Sequence, residues 1–295
     1  MMRVLIAGCG YVGQATAELF QKAGWEVEGW TASAHSAAKL SAKAYRVRAV
    51  DISQREEVAA AAGQFDVVIH CASSGGGGPA DYRRIYLQGS HNLCAVFPQA
   101  TILFTSSTSV YAQTDGSWVS ETSAADPTRE TAKTLREAEE FVLTHGGIVA
   151  RVAGIYGPNR SALLEKFLRG DAIILDEREP RFINQAHRDD IAAALFRLID
   201  CREELPPRAG NEARKIYNVV DDEPILQSDC YEWLAAKLDR AMPPIGRSTG
   251  PRKRGDSNKR VSNKKLRSLG WAPVYPTFSD AMTRSILPSF SSVFA

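Results

Sequence analysis

The run Gly8-Cys9-Gly10-Tyr11-Val12-Gly13 has the G-x-G-x-x-G spacing with which a backbone closes around a pyrophosphate. Gly8 permits a tight turn, Gly10 brings the backbone close to the phosphates, and Gly13 lets a helix lie against a strand. The free N–H groups of a helix opening at Tyr11 and Val12 then meet the anion at the positive helix end. Farther along, Trp30-Thr31-Ala32-Ser33 stands where an acid would hold a ribose 2′-hydroxyl. With no acid at Thr31, NADP is open alongside NAD. Ser33, His35 and Lys39 either meet a 2′-phosphate or are plain loop residues. Asp51-Ile52 closes a strand-like run. Its carboxylate either accepts from an adenine amino group or caps the next helix, as Ser53 would do equally well.

Such residues need a frame that sets several loops side by side. Residues 4–7, 26–30, 45–50, 66–71, 101–105 and 148–152 read as strands, short, apolar and rich in branched side chains. Residues 11–23, 58–62, 85–97 and 128–144 read as helices between them. Continuous apolar strands alternating with helices predict a doubly wound parallel α/β sheet covered on both faces. Ser73-Ser74-Gly75-Gly76-Gly77-Gly78-Pro79 follows the fourth strand, where such sheets bind ligands. Its glycines serve close approach or a moving lid, or they make a plain surface loop. Past residue 157 the pattern loosens. Strands near 172–175 and 215–219, helices near 189–200 and 227–238, and a long basic loop are expected. From Asn263 past Trp271 the chain reads as helical at first and then extended. The division expected is a dinucleotide-binding core over 1–157 and a smaller substrate lobe over 158–295, interleaved with the last core elements.

The composition narrows the class. A chain of 295 residues, 44% hydrophobic and 24% charged, is that of an ordinary globular protein, not a disordered, collagenous or coiled-coil one. No apolar stretch reaches 18 residues, so no membrane span is expected, and the first strand is too short for a signal core. Five cysteines without C-x-x-C spacing argue against a disulfide framework or a zinc site and fit a reducing, cytoplasmic setting. Residues 247–267 hold nine Lys or Arg against one Asp, a local +8 in a chain of net +2, which leaves −6 on the rest. The basic stretch is a solvated face, a nucleic-acid contact or a contact to an anionic substrate. Aromatic interleaving is absent, which speaks against nucleic acid.

Eight motifs in order carry a family resemblance. After the glycine motif and Asp51-Ile52 come Val67-Val68-Ile69-His70-Cys71-Ala72, Ser106-Ser107-Thr108-Ser109-Val110-Tyr111 and Arg151-Val152-Ala153-Gly154-Ile155-Tyr156-Gly157-Pro158. His187-Arg188-Asp189-Asp190-Ile191, Tyr217-Asn218-Val219 and Leu269-Gly270-Trp271 follow. Together they resemble the extended short-chain dehydrogenase/reductase family, the NAD-dependent epimerase/dehydratases that act on nucleotide sugars. The resemblance implies a Rossmann-type fold and adds Cys71, Ala72, Ser73 and Lys133 to Gly8, Gly10, Tyr11, Val12, Gly13, Thr31, Ser33, Asp51 and Ile52 as cofactor contacts. It implies that Ser107 holds a substrate oxygen. It also implies that Lys133, with Glu137 four residues on, holds the nicotinamide ribose.

The family pairs that Lys with a Tyr four residues earlier, on the same helical face, as proton donor and acceptor. In this chain Arg129 takes that place. Arginine stays protonated, so its role would be that of a fixed cation polarising a carbonyl or holding an anion. The pattern is similar to atypical members that lack the Tyr. Water polarised by Arg129, Lys133 itself, or Tyr82 or Tyr86 would replace it; Tyr86 stands about where the family has an Asn. By the same resemblance Arg160 lies on the substrate side. Arg252, Lys253, Arg254 and Lys259 meet an anionic small molecule, and two core helices join a homodimer. The expected function is an NAD(P)-dependent oxidoreductase of the epimerase/dehydratase type. The alternatives are a catalytically inactive NAD(P)-binding sensor and, third, a basic RNA-associated protein.

Overall fold

The computed structural model describes residues 1–175, 181–205, 215–246 and 257–290. Seven strands form one parallel sheet: β1 (Arg3–Ala7), β2 (Glu26–Thr31), β3 (Arg46–Ala49), β4 (Val67–His70), β5 (Thr101–Ser107), β6 (Ile148–Val152) and β7 (Ile216–Val219). Their order across the sheet is β7-β6-β5-β4-β1-β2-β3, and every neighbouring pair is parallel. The inner strands are buried along their length because helices cover both faces, which explains their unbroken apolar character.

Helix α1 (Tyr11–Lys22) packs on α7 (Arg188–Asp200), with Phe20 meeting Phe196 edge to face at 5.0 Å. Short α2 (Ala34–Lys39) follows β2, and α3 (Arg55–Ala60) follows β3. α4 runs over residues 79–96 with a widened turn at Arg83–Gln88, and it packs beside α5 (Glu130–Thr144). The winding reverses between β1 and β4. The loops leaving β1, β4 and β5 therefore open side by side at one carboxyl edge, the place where open α/β sheets bind ligands.

A second, smaller apolar cluster gathers α6 (Ala162–Arg169), α8 (Gln227–Leu238) and α10 (residues 278–289) around Phe167, Tyr231, Phe278, Met282 and Ile286. The strand β7, though late in sequence, belongs to the main sheet beside β6. Residues 264–267 form α9, as the sequence suggests, but the extended continuation predicted past Trp271 gives way to α10. Phe278, Ala281, Met282 and Ile286 recur at helical spacing and face the second cluster, so burial decides the conformation there. Residues 34–39 form a helix where the sequence suggests a loop. No helix among the described residues is long and apolar enough to cross a membrane.

Candidate functional site

The turn after β1 has the shape its glycines require. Gly8 sits at φ +101°, and a Cβ on it would overlap the backbone nitrogen of Ala72. A Cβ on Gly13 would overlap the carbonyl oxygen of Gly8. A Cβ on Gly10 would meet nothing within 4 Å. Two glycines thus close the frame, and the third leaves open space before a helix whose N-cap, Gly10, has no side chain to cap it. That is a cradle for an anion, and a dinucleotide pyrophosphate fits it. The Tyr11 side chain turns aside: its hydroxyl donates to the Pro158 carbonyl at 2.9 Å, leaving its backbone at the helix start.

At the end of β2, Thr31 Oγ1 donates to the Ser33 carbonyl, and Ser33 caps α2 by accepting from Ser36 N–H. The nearest acid on β2, Glu28, is buried under Trp30 Nε1 at 2.7 Å and Arg48 at 3.4 Å, so it is committed inside the sheet edge. His35 and Lys39 lie exposed on α2. Asp51 builds a turn. Its Oδ1 accepts from Ser53 N–H and hydroxyl, and its Oδ2 accepts from Arg84 on α4 at 3.2 Å. Gln54 rather than Asp51 or Ser53 occupies the N-cap of α3, without a side-chain cap. Ile52 is buried, its carbonyl held by Asn92.

A cavity of about 1360 Å³ opens from this edge and extends to the second cluster. Val12, Cys71, Ala72, Ser73 and Ser107 line it, so the structure brings the first, fourth and fifth loops together. Burial pushes the Cys71 thiol up to about 12, which makes it an apolar wall rather than a nucleophile. Ser107 ends β5 and caps the following turn by accepting from Ser109 N–H at 3.1 Å.

Helix α5 contributes Thr131, Ala132 and Leu135 to the cavity, together with Arg129 at its extended N-cap position. Lys133 is not among the lining residues. Its ammonium pairs with Glu130 at 2.8 Å on the exposed side, where Glu137 also stands, paired with Arg83. The carboxylate on the inner face is Glu139. It is fully buried, accepts from Ser106 Oγ at 2.6 Å, and takes Arg151 at 2.7 and 3.0 Å. The inner stripe is Thr131, Leu135 and Glu139. Two residues of shift rotate a helix position by about 200°, which separates this stripe from Lys133 and Glu137. Sequence spacing misses the stripe; the signal that finds it is Arg151, a buried cation on β6 that needs a carboxylate.

Several phenols reach the cavity. Tyr111 donates to Asn218 Oδ1 at 2.8 Å, and Tyr156 lies 3.5 Å from Asp221. The Tyr86 and Tyr82 rings pack at 4.8 Å on α4, and the Tyr86 hydroxyl accepts from Ser74 N–H at 3.4 Å. Arg129, Arg160, Lys166, Arg181 and Lys259 line the wall, against one carboxylate, Asp171, among the described residues. Sequence reasoning does not single out Lys166 and Arg181. Lys259 is buried, donates to the Tyr111 carbonyl at 2.8 Å, and is pulled down to about 8 by burial, with Arg181 adding to the effect. Arg252, Lys253 and Arg254 lie outside the described residues. All five cysteines are free.

Comparison with known proteins gives three kinds of match. The model of the NAD dependent epimerase/dehydratase family matches residues 4–208. Protein YeeZ of Escherichia coli (strain K12) is 27% identical over 259 residues, covering 84% of this chain and 88% of that one. Among solved structures, the UDP-glucose 4-epimerase of Thermotoga maritima with UDP-glucose superposes with TM-score 0.79 at 18% identity over the full length of both chains. The UDP-glucose 4-epimerase of Thermus thermophilus in complex with NAD gives 0.77 at 21% identity, covering 95% of this chain and 96% of that one.

Proposed function

The chain belongs to the NAD-dependent epimerase/dehydratase family, and from that premise we propose that it is an NAD(P)-binding oxidoreductase of epimerase/dehydratase type acting on a nucleotide sugar or a similar anionic metabolite. The observation that carries this reading is the cavity that reaches Val12, at the edge of the glycine cradle, and is walled by five cations. The backbone N–H groups at Tyr11, Val12 and Gly13 would hold the cofactor diphosphate, with Thr31, Ser33 and Asp51 at the adenosine end. Such a cofactor, when bound, supplies hydride acceptance and return. NAD is the form that the family name carries. The NADP reading rests on Thr31 standing where an acid would repel a 2′-phosphate.

On the substrate side, Lys166, Arg181 and Lys259 would neutralise phosphate oxygens, where Arg offers paired donors and Lys a point charge. Ser107 would donate to the reacting oxygen and Arg129 would polarise it. The test is calorimetry with NAD and NADP, followed by turnover of UDP-glucose and related nucleotide sugars with the preferred cofactor. Cofactor reduction or an epimerised product supports the reading, and Ser107→Ala should then lower turnover about a hundredfold.

One observation favours a second reading, a binding protein without turnover. The cavity face of α5 carries Thr131 and Leu135, neither of which titrates. Tight NAD binding with no product from any nucleotide sugar would select this sensor reading.

A further inference from the structure

We propose that Arg160, on the turn between β6 and α6, is a cofactor-binding residue that reaches the pyrophosphate from the second lobe. The inference rests on the dinucleotide reading given above. Tyr11 is the first residue of α1, and side chains on a helix lean toward its N-terminus. The Tyr11 ring lies against the turn at residues 157–160, with its hydroxyl on the Pro158 carbonyl, so that turn is held to the first residue of the helix that opens the cradle. Two guanidinium groups attend that ring, Arg160 at 5.1 Å and Arg188 at 5.2 Å from its centre.

The two arginines are not equivalent. Arg188 is neutralised by Asp189 at 2.8 Å. The Arg160 guanidinium makes no ion pair or hydrogen bond with the described residues, although it lines the cavity. Its backbone, by contrast, is fixed. Arg160 exchanges both backbone hydrogen bonds with Gly157 at 3.0 Å, and Pro158 between them receives the Tyr11 hydroxyl. A free cation is thus carried on a rigid turn and rests on the ring of Tyr11, the first residue of α1, while lining the same cavity as Val12. A planar guanidinium there matches the paired oxygens of a phosphate.

The test is NAD titration by calorimetry of the wild type, Arg160→Ala and Arg160→Lys, alongside thermal unfolding without ligand. Because the Arg160 side chain is exposed and unpaired in the absence of ligand, the Tm should stay at the wild-type value in both variants. Arg160→Ala should weaken NAD binding about tenfold, the loss of one charge-assisted hydrogen bond, and Arg160→Lys should recover part of it. NAD affinity in Arg160→Ala within twofold of wild type overturns the proposal while leaving the dinucleotide reading intact. So does unchanged NAD affinity with weakened UDP-glucose binding to the NAD-loaded protein, which would assign Arg160 to the substrate. A wild type that binds neither NAD nor NADP overturns both.

Discussion

Glu139 on α5 grips Arg151 on β6 at two points, Oε1 to Nε at 3.0 Å and Oε2 to NH2 at 2.7 Å, with both side chains out of reach of solvent. Arg136 and Ser106 complete the carboxylate's shell at 2.6 Å each, and Arg151 lies under the Tyr111 ring at 4.8 Å. Removing one member leaves an uncompensated buried charge, which costs about 3–5 kcal/mol. Glu139→Leu is expected to lose that much in urea denaturation. The double variant Glu139→Leu/Arg151→Met should be more stable than Glu139→Leu alone, since no charge is then stranded.

The three motif glycines separate folding from binding. Gly8→Ala combines a positive φ with overlap on the Ala72 backbone, so it should destabilise the fold by several kcal/mol or prevent soluble expression. Gly10→Ala meets open space and should unfold close to the wild type. Its methyl group would stand where the diphosphate must approach, so NAD affinity should fall by at least tenfold in calorimetry. Equal NAD affinity in Gly10→Ala and wild type would argue against the cradle.

His70 should make the protein acid-sensitive. Its imidazole is fully buried against the Ile85 carbonyl at 3.2 Å, and burial pulls it down to about 4 from an ordinary 6.5. The folded state thus binds its proton later than the unfolded state. The stabilisation is fully present above pH 6.5 and is lost as the pH falls toward 4, by about 3 kcal/mol in all. His70→Gln keeps a donor for Ile85 and does not titrate. Its unfolding free energy, measured from pH 7 to pH 4, should fall less steeply than that of the wild type.

Lys133→Ala is expected to be mild. The Lys133–Glu130 pair is an exposed surface contact, screened by water and salt, and contributes little to stability. Thermal unfolding should barely move, and NAD affinity should stay within twofold. A tenfold loss of NAD binding in this variant would mean that Lys133 swings into the cavity when the cofactor binds.

How much of this is written in the sequence differs from element to element. The β1 turn is legible because Gly8, Gly10 and Gly13 each answer a separate steric demand. Strands β4 and β6 are legible because burial on both faces leaves them unbroken apolar runs. The inner face of α5 is not. Glu137, Glu139 and Glu140 all lie within one helical turn of one another, and spacing from Lys133 favours Glu137. The choice belongs to Arg151, which is close in space and separated in sequence. The helix at residues 278–289 is hidden for a related reason: its apolar positions answer to α6 and α8, far away along the chain. The motif Asp51-Ile52 marks the exit from a strand in sequence and in structure alike. The claim that Arg84 makes on the Asp51 carboxylate depends on α4 and leaves no trace in local spacing.

The place of β7 sets a timetable for synthesis. Strand β6 leaves the ribosome long before Ile216–Val219, and until then its outer edge offers unpaired backbone groups to any neighbouring chain. The first half of the protein therefore emerges with one seam open, and only the arrival of the later half closes it. A nascent chain stalled before residue 216 would keep that seam open to pairing with another chain, so the order of translation makes β6 the exposed edge of the unfinished sheet.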